Sequence, residues 1–337
     1  MKQSVPQSEA YESLVEKVLS RVGFHDALPE DHDSLSHTKS PGDQAALSEQ
    51  LQRRIADLRR QYAEYPCDAQ IHSQWDRSLV GEIDTVNFRA DSAYLWQHRD
   101  GNVPVSYLAT YYFQRLSQDA DLLERCTEDG RFGAYSIRVD NTVVTRDRLD
   151  SVAELGFLRK AFSLNYESNL RILDIGSGYG RIAWRFHQCF PKLEVLCVDG
   201  IPESAAICEN YLSQRGVAPN VRMVPLPMLE VEMSRKPPAL AIAMNSLSEC
   251  TASAVTWWAT LLQKYAVPNL LMVPHSGFDE GRELFSVESP EEKPVPLLPL
   301  LKRHGYTRTM IEPKYKEPTM QKYGISPTYF HLFSRQR

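Results

Sequence analysis

Long hydrophobic runs are missing from this 337-residue chain, and residues 1–10 are polar. Neither a bilayer-spanning segment nor a secretory leader is expected, and a cytoplasmic location is. The six cysteines (Cys67, Cys126, Cys189, Cys197, Cys208 and Cys250) include no C-x-x-C pair and no histidine-rich metal spacing. A structural zinc site and a disulfide framework are therefore disfavoured, and reduced thiols are expected. Cys197, inside a predicted core strand, reads as an apolar filler. Basic residues are outnumbered, 38 Lys and Arg against 43 Asp and Glu, and form no stripe. Neither nucleic acid nor an anionic membrane is expected as a partner. No Asp/Glu pair has obvious ligand geometry, so no metal is expected. What remains is an ordinary globular composition, 42% hydrophobic and 10% aromatic, long enough for one large domain or two.

Three stretches differ in character. Residues 1–43 read as a polar arm or linker, with acids at Glu30, Asp31 and Asp33, histidines at His25, His32 and His37, and a short helix over 9–21. Residues 44–165 read as a helical N-terminal region, a lid over a substrate or a dimer contact. Leu47, Leu51, Ile55 and Leu58 recur at helical spacing over 44–63, opposite a face of Glu49, Arg53, Arg54, Arg59 and Arg60. That helix either packs on the domain surface or forms a homodimer contact. Helical patterning continues over 104–126, breaks at Glu128-Asp129-Gly130, and resumes over 149–162, with Thr145 or Asp147 as N-cap. From 166 to 337, strands (170–175, 193–198, 221–225, 239–244, 269–274, 307–313, 328–334) alternate with helices (180–190, 203–214, 253–265, 295–304). Such alternation predicts an α/β fold: a mostly parallel, Rossmann-like sheet with helices on both faces. In such sheets ligands bind at the carboxyl ends of the strands.

The most informative stretch is Leu170-Arg-Ile-Leu-Asp-Ile-Gly-Ser-Gly-Tyr-Gly180, an apolar strand ending in three glycines at alternate positions and followed at once by a helix. Glycines suit a turn that needs unusual φ and brings bare backbone to a nucleotide-like ligand. The dinucleotide spacing G-x-G-x-x-G is not met, because Arg181 stands where its last glycine should fall. A nicotinamide-dependent oxidoreductase is thereby disfavoured. The next strand, Leu193-Glu-Val-Leu-Cys-Val198, ends in Asp199, 25 positions after Asp174. A carboxylate there can accept both hydroxyls of a ribose, or can merely cap the helix near Glu203.

Asp174, Gly176, Gly178 and Gly180 together form D-x-G-x-G-x-G, which resembles motif I of the class I S-adenosylmethionine (SAM) methyltransferases. The resemblance implies SAM as cofactor and S-adenosylhomocysteine as product. It places Asp174 near the methionine ammonium, and Gly176, Ser177, Gly178, Tyr179 and Gly180 along the tail and ribose. Asp199, Gly200 and Ile201 follow on the ribose side. After the third strand, Pro225-Leu226-Pro227-Met228 lacks the acid that many methyltransferases offer adenine, leaving apolar contact and backbone amides, with Leu226 as candidate. After the fourth, Asn245-Ser246-Leu247-Ser248-Glu249-Cys250 faces the transferring methyl group; Asn245 is a cofactor candidate and Ser246 a substrate candidate. Glu249 is a base, a substrate orienter or the cap of the helix near Thr251. After the fifth, His275 takes a proton near neutral pH or is a structural loop histidine. His98 and His331 are secondary, His331 more plausibly packed.

Several pieces together resemble the bacterial family of sugar O-methyltransferases: Tyr94-Leu-Trp-Gln-His-Arg99, Thr145-Arg-Asp-Arg-Leu-Asp-Ser-Val-Ala-Glu-Leu-Gly-Phe-Leu158, Leu173-Asp-Ile-Gly-Ser-Gly-Tyr-Gly-Arg181 and the turn from Asn245 to Cys250. The resemblance spans roughly residues 85–275 and implies methyl transfer to a hydroxyl of a small molecule, a sugar or glycosylated metabolite. Tyr94 and His98 would then touch substrate. Methylation of an amine or carboxylate, and SAM binding without catalysis, stay open as alternatives.

Overall fold

Each apolar run bounded by glycine, proline or a short polar loop becomes a strand, and each 3.6-period stretch between them becomes a helix. A computed structural model describes residues 41–71, 75, 77–81, 83–90, 103–139, 141–217, 219–275 and 278–335. Of the expected arm over 1–43, residues 1–40 with the short helix lie outside the described residues, and 41–43 are the first residues of a helix rather than arm.

The N-terminal part holds α1 (Pro41–Ala63), α2 (Arg77–Gly81), α3 (Val103–Leu116), α4 (Ala120–Arg125), the antiparallel hairpin β1 (Ser136–Val139) and β2 (Thr142–Thr145), and α5 (Arg146–Phe162). The hairpin is a departure from the purely helical expectation. Its four-residue strands are too short for a period-2 signal, and Asn141 turns between them with φ +62°. Thr145, not Asp147, caps α5, its Oγ1 accepting the Arg148 amide at 3.2 Å.

The remainder alternates β3 (Arg171–Ile175), α6 (Arg181–Cys189), β4 (Glu194–Val198), α7 (Pro202–Arg215), β5 (Val221–Met223), α8 (Leu229–Arg235), β6 (Leu240–Met244), α9 (Ala252–Lys264), β7 (Asn269–Val273), α10 (Leu297–Arg303), β8 (Tyr306–Pro313), α11 (Pro318–Tyr323) and β9 (Tyr329–Arg335). The strands form one seven-stranded sheet in the order β5-β4-β3-β6-β7-β9-β8. The first five pair parallel, and β9 runs antiparallel to both β7 and β8. This is the α/β sheet expected. Right-handed crossovers leading outward in opposite directions from β3 and β6 put their helices on opposite faces. They also leave a switch point between β3 and β6, where a crevice opens at the carboxyl ends.

The sheet centre is buried without interruption: Ile172, Leu173, Val195, Leu196, Ile242, Leu270 and Leu271 have no more than traces of exposure. The N-terminal helices share this core. In α1, Leu51, Ile55 and Leu58 are buried, and Arg54 and Arg59 pair with Glu209 and Glu203 of α7, each at 2.6 Å. Helix α5 joins α6 through a buried ionic centre: Arg89 bonds Glu128 at 2.7 Å and Asp147 at 2.8 Å, and Arg185 bonds Glu128 at 2.6 Å. Burial pushes the Glu128 carboxyl up, but the two guanidiniums outweigh it and hold it well below the usual range. All six cysteines are free, with Cys197 fully buried in β4. Among the described residues, no helix is long and apolar enough to cross a membrane.

Candidate active site

The switch point is built from two turns that touch. After β3 the chain passes through Gly176, Gly178 and Gly180 at φ +66°, +55° and +88°, the left-handed region that glycine alone enters freely. The Gly176 and Ser177 amides both donate to the Val198 carbonyl at the end of β4, at 2.9 and 3.1 Å. On the other side, Ser246 after β6 donates its Oγ to the Ile175 carbonyl at 2.5 Å. A Cβ added to Gly176 would lie 2.3 Å from the Ser246 Cβ, so glycine is required here by the neighbouring turn as well as by φ. Ser246 therefore fastens β6 to β3 with its one hydroxyl proton.

Two carboxylates stand at the adjoining strand ends. Asp174, on β3, is 1% exposed, and among the described residues its Oδ2 has no hydrogen-bond partner. Burial raises its carboxyl to about 7; Arg181 opposes the rise, and Glu154 and Asp199 add to it. Asp199, at the tip of β4, accepts the Gly178 amide on Oδ2 and the Ile201 amide on Oδ1, each at 2.9 Å. Burial pushes it too up to about 7, against the lowering effect of those two donors. Each Asp199 oxygen keeps a lone pair beyond its amide bond. The residue orders the glycine turn and the entry to α7, and the helix itself is entered through Ile201 with Pro202 as its first residue.

The two catalytic candidates are in contact. His275, following β7, meets Glu249 Oε1 through Nε2, and the indole Nε1 of Trp75 donates to Glu249 Oε2 at 2.7 Å. Glu249 is mostly buried, and His275 is half exposed at 51%. A carboxylate only accepts, so Nε2 carries the shared hydrogen, and in the neutral imidazole Nδ1 is the nitrogen with the lone pair. Glu249 does not cap the following helix. Thr251 does, its Oγ1 accepting the Ala254 amide at 3.3 Å, while Glu288 takes the Ala252 amide at 2.7 Å.

Other candidates are placed more indirectly. Asn245 adopts φ +61° and donates its amide to Val273, holding the turn after β6 against β7. Tyr179 turns its ring onto Phe88 and Tyr211, with its hydroxyl bonded to Asp147, so its backbone alone belongs to the glycine turn. Gly180 is a packing glycine: a Cβ there would lie 3.0 Å from Cys208 Sγ on α7. Leu226 is buried and its amide donates to the Tyr62 hydroxyl at 3.1 Å. Pro225 and Pro227 have no N–H, and the Met228 amide bonds Pro225. Every backbone donor from 225 to 228 is thus committed, so of the apolar contact and backbone amides expected here, the amides are ruled out. His331 is packed, as expected: fully buried, with Nε2 donating to Gly281 at 2.7 Å. Burial lowers it to about 4. Tyr94 and His98 lie outside the described residues.

Sequence reasoning missed three contributors. Trp75 carries no local pattern. Tyr62 continues the apolar stripe of α1 four residues after Leu58, and that spacing alone pointed inward. The polar face of α5 reaches the glycine turn: Arg181 binds Glu154 bidentately at 2.7 and 2.8 Å and Ser151 at 2.9 Å. The large, paired Arg181 stands where a dinucleotide fold needs a glycine.

No family model matches the chain, and no curated protein matches it. Solved structures do. Magnesium protoporphyrin IX methyltransferase (ChlM) from Synechocystis PCC 6803, with bound SAM, is 11% identical, with 67% of this chain and 97% of that chain covered and a TM-score of 0.38. Geranyl diphosphate C-methyltransferase from Streptomyces coelicolor A3(2) is 13% identical, covering 56% and 80%, with a TM-score of 0.39. The PH0226 protein from Pyrococcus horikoshii OT3 is 14% identical, covering 57% and 91%, with a TM-score of 0.40. None is similar enough to transfer an activity or a substrate to this chain.

Proposed function

We propose that the chain is a SAM-dependent methyltransferase that methylates a hydroxyl of a small molecule, a sugar or glycosylated metabolite. The observation that carries this reading is the Trp75–Glu249–His275 chain at the ends of β6 and β7, beside the switch point occupied by Asp174, the glycine turn and Asp199. The residues fit the cofactor. Asp174 offers an ammonium a buried oxygen that has no partner among the described residues, and Asp199 has lone pairs to accept two ribose hydroxyls. When bound, SAM supplies a methyl group on a cationic sulfonium, open to in-line attack.

An alcohol attacks such a methyl poorly while it keeps its proton. His275 Nδ1 accepts that proton. Glu249 fixes the tautomer and stabilises the imidazolium that forms, and Trp75 fixes Glu249. Orientation of the acceptor oxygen supplies much of the rate. Transfer of labelled methyl from SAM to hydroxylated and glycosylated acceptors tests the reading. His275→Ala should lower turnover by roughly 10²–10⁴-fold and leave S-adenosylhomocysteine affinity intact. Transfer to amines or carboxylates, indifferent to His275→Ala, would move the reading to N- or carboxyl methylation. Tight SAM binding with no acceptor methylated would favour a non-catalytic SAM-binding protein.

A further inference from the structure

We infer that Tyr62 is a cofactor-positioning residue: from helix α1, its hydroxyl ties the tip of β4 to the tip of β5 and fixes the spacing of the nucleoside pocket. The inference rests on the SAM reading above. Tyr62 is 2% exposed, and its hydroxyl uses both capacities at once. It donates to the Asp199 carbonyl at 3.0 Å and accepts the Leu226 amide at 3.1 Å. These are the residues that would flank ribose and adenine. Burial raises the phenol above its ordinary range, so the hydroxyl keeps the proton it donates.

The arrangement follows from the local sequence. Between two prolines, Leu226 carries the one backbone N–H of residues 225–227, and a buried N–H demands a partner. The chain meets that demand from 164 residues away, with a side chain on a helix whose Leu51, Ile55 and Leu58 are buried in the shared core. Asp199 is consequently held at three points, its carbonyl by Tyr62 and its two carboxylate oxygens by Ile201 and Gly178. Without the hydroxyl, the ribose carboxylate and the apolar adenine wall lose the bridge that joins them beyond the last β4–β5 ladder bond, from the Val224 amide to the Cys197 carbonyl, and the pocket must be ordered when ligand arrives.

Tyr62→Phe keeps the ring and removes the tie. It should raise the Kd for S-adenosylhomocysteine and the KM for SAM by roughly tenfold, with kcat within about twofold of wild type. It should also speed hydrogen exchange at the Leu226 amide. Arg54→Ala loosens the same helix through a surface ion pair and should leave all of these unchanged. An unchanged Kd and KM in Tyr62→Phe, with wild type binding normally, would overturn the inference alone and leave Tyr62 as packing. Failure of wild type to bind either sulfur ligand would instead overturn the SAM reading, and this inference with it.

Discussion

Replacing Asp174 by Asn should make the ligand-free protein more stable at alkaline pH while removing its affinity for SAM. Burial raises this carboxyl from an ordinary 3.8 to about 7. At about 1.4 kcal/mol for each tenfold change, the ionised form costs the empty fold about 4 kcal/mol. An Asn side chain stays neutral but brings its own buried polar group, at about 1–3 kcal/mol, so the net gain at pH 8 is about 1–3 kcal/mol. The sign follows from linkage. The folded-state value lies above the unfolded one, so the wild-type carboxyl's contribution to stability is complete below about pH 4 and is lost as pH rises through about 7. The advantage of Asn should therefore be largest at pH 8 and reverse to a deficit of about 1–3 kcal/mol near pH 4, where only the cost of its buried amide is left. Urea unfolding of both proteins without ligand, at pH 8, 6 and 4, measures it. A cationic ligand group favours the ionised carboxylate, so wild-type affinity for S-adenosylhomocysteine should weaken as pH falls below about 7, with a proton released on binding there. Equal destabilisation of Asp174→Asn at all three pH values would refute the reasoning, as would undiminished ligand affinity.

Trp75→Phe removes the donor on Glu249 Oε2; turnover should fall roughly tenfold, as for loss of a positioning hydrogen bond to a charged group, with S-adenosylhomocysteine affinity unchanged in calorimetry. Glu128→Gln leaves Arg89 and Arg185 buried without their shared carboxylate; denaturant unfolding should show a loss of about 3–5 kcal/mol, whereas a neutral result would mean that the guanidiniums find other partners.

Elements with strong local signals were legible in the sequence. The apolar run before Gly176, the acid-and-glycine spacing and Asp199 one βα unit later predict the crevice, and β3, α6, β4 and α7 lie where they were expected. Short elements were not legible. Helices α8 and α11 and the β1–β2 hairpin have seven residues or fewer per segment and depend on tertiary contacts for stability. Helix α5 shows the deeper reason. Asp147, Asp150, Ser151 and Glu154 share a polar face that would ordinarily be solvated, yet all four are buried. Their partners (Arg89, Tyr179, Lys314 and Arg181) come from distant parts of the chain. The pairing of Glu249 with His275 is similar: each was singled out at a strand end, but their contact depends on β6 and β7 being neighbours, which the topology supplies.

SAM should occupy the crevice at the carboxyl ends of β3 and β6, beside the tip of β4. Calorimetric titration of the wild-type protein with SAM and S-adenosylhomocysteine, with NAD as control and Asp199→Ala as comparison, tests it most directly. Micromolar binding of both sulfur ligands, lost in Asp199→Ala, is expected, with no binding of NAD. Absence of binding by both sulfur ligands, or equal binding by Asp199→Ala, would contradict it.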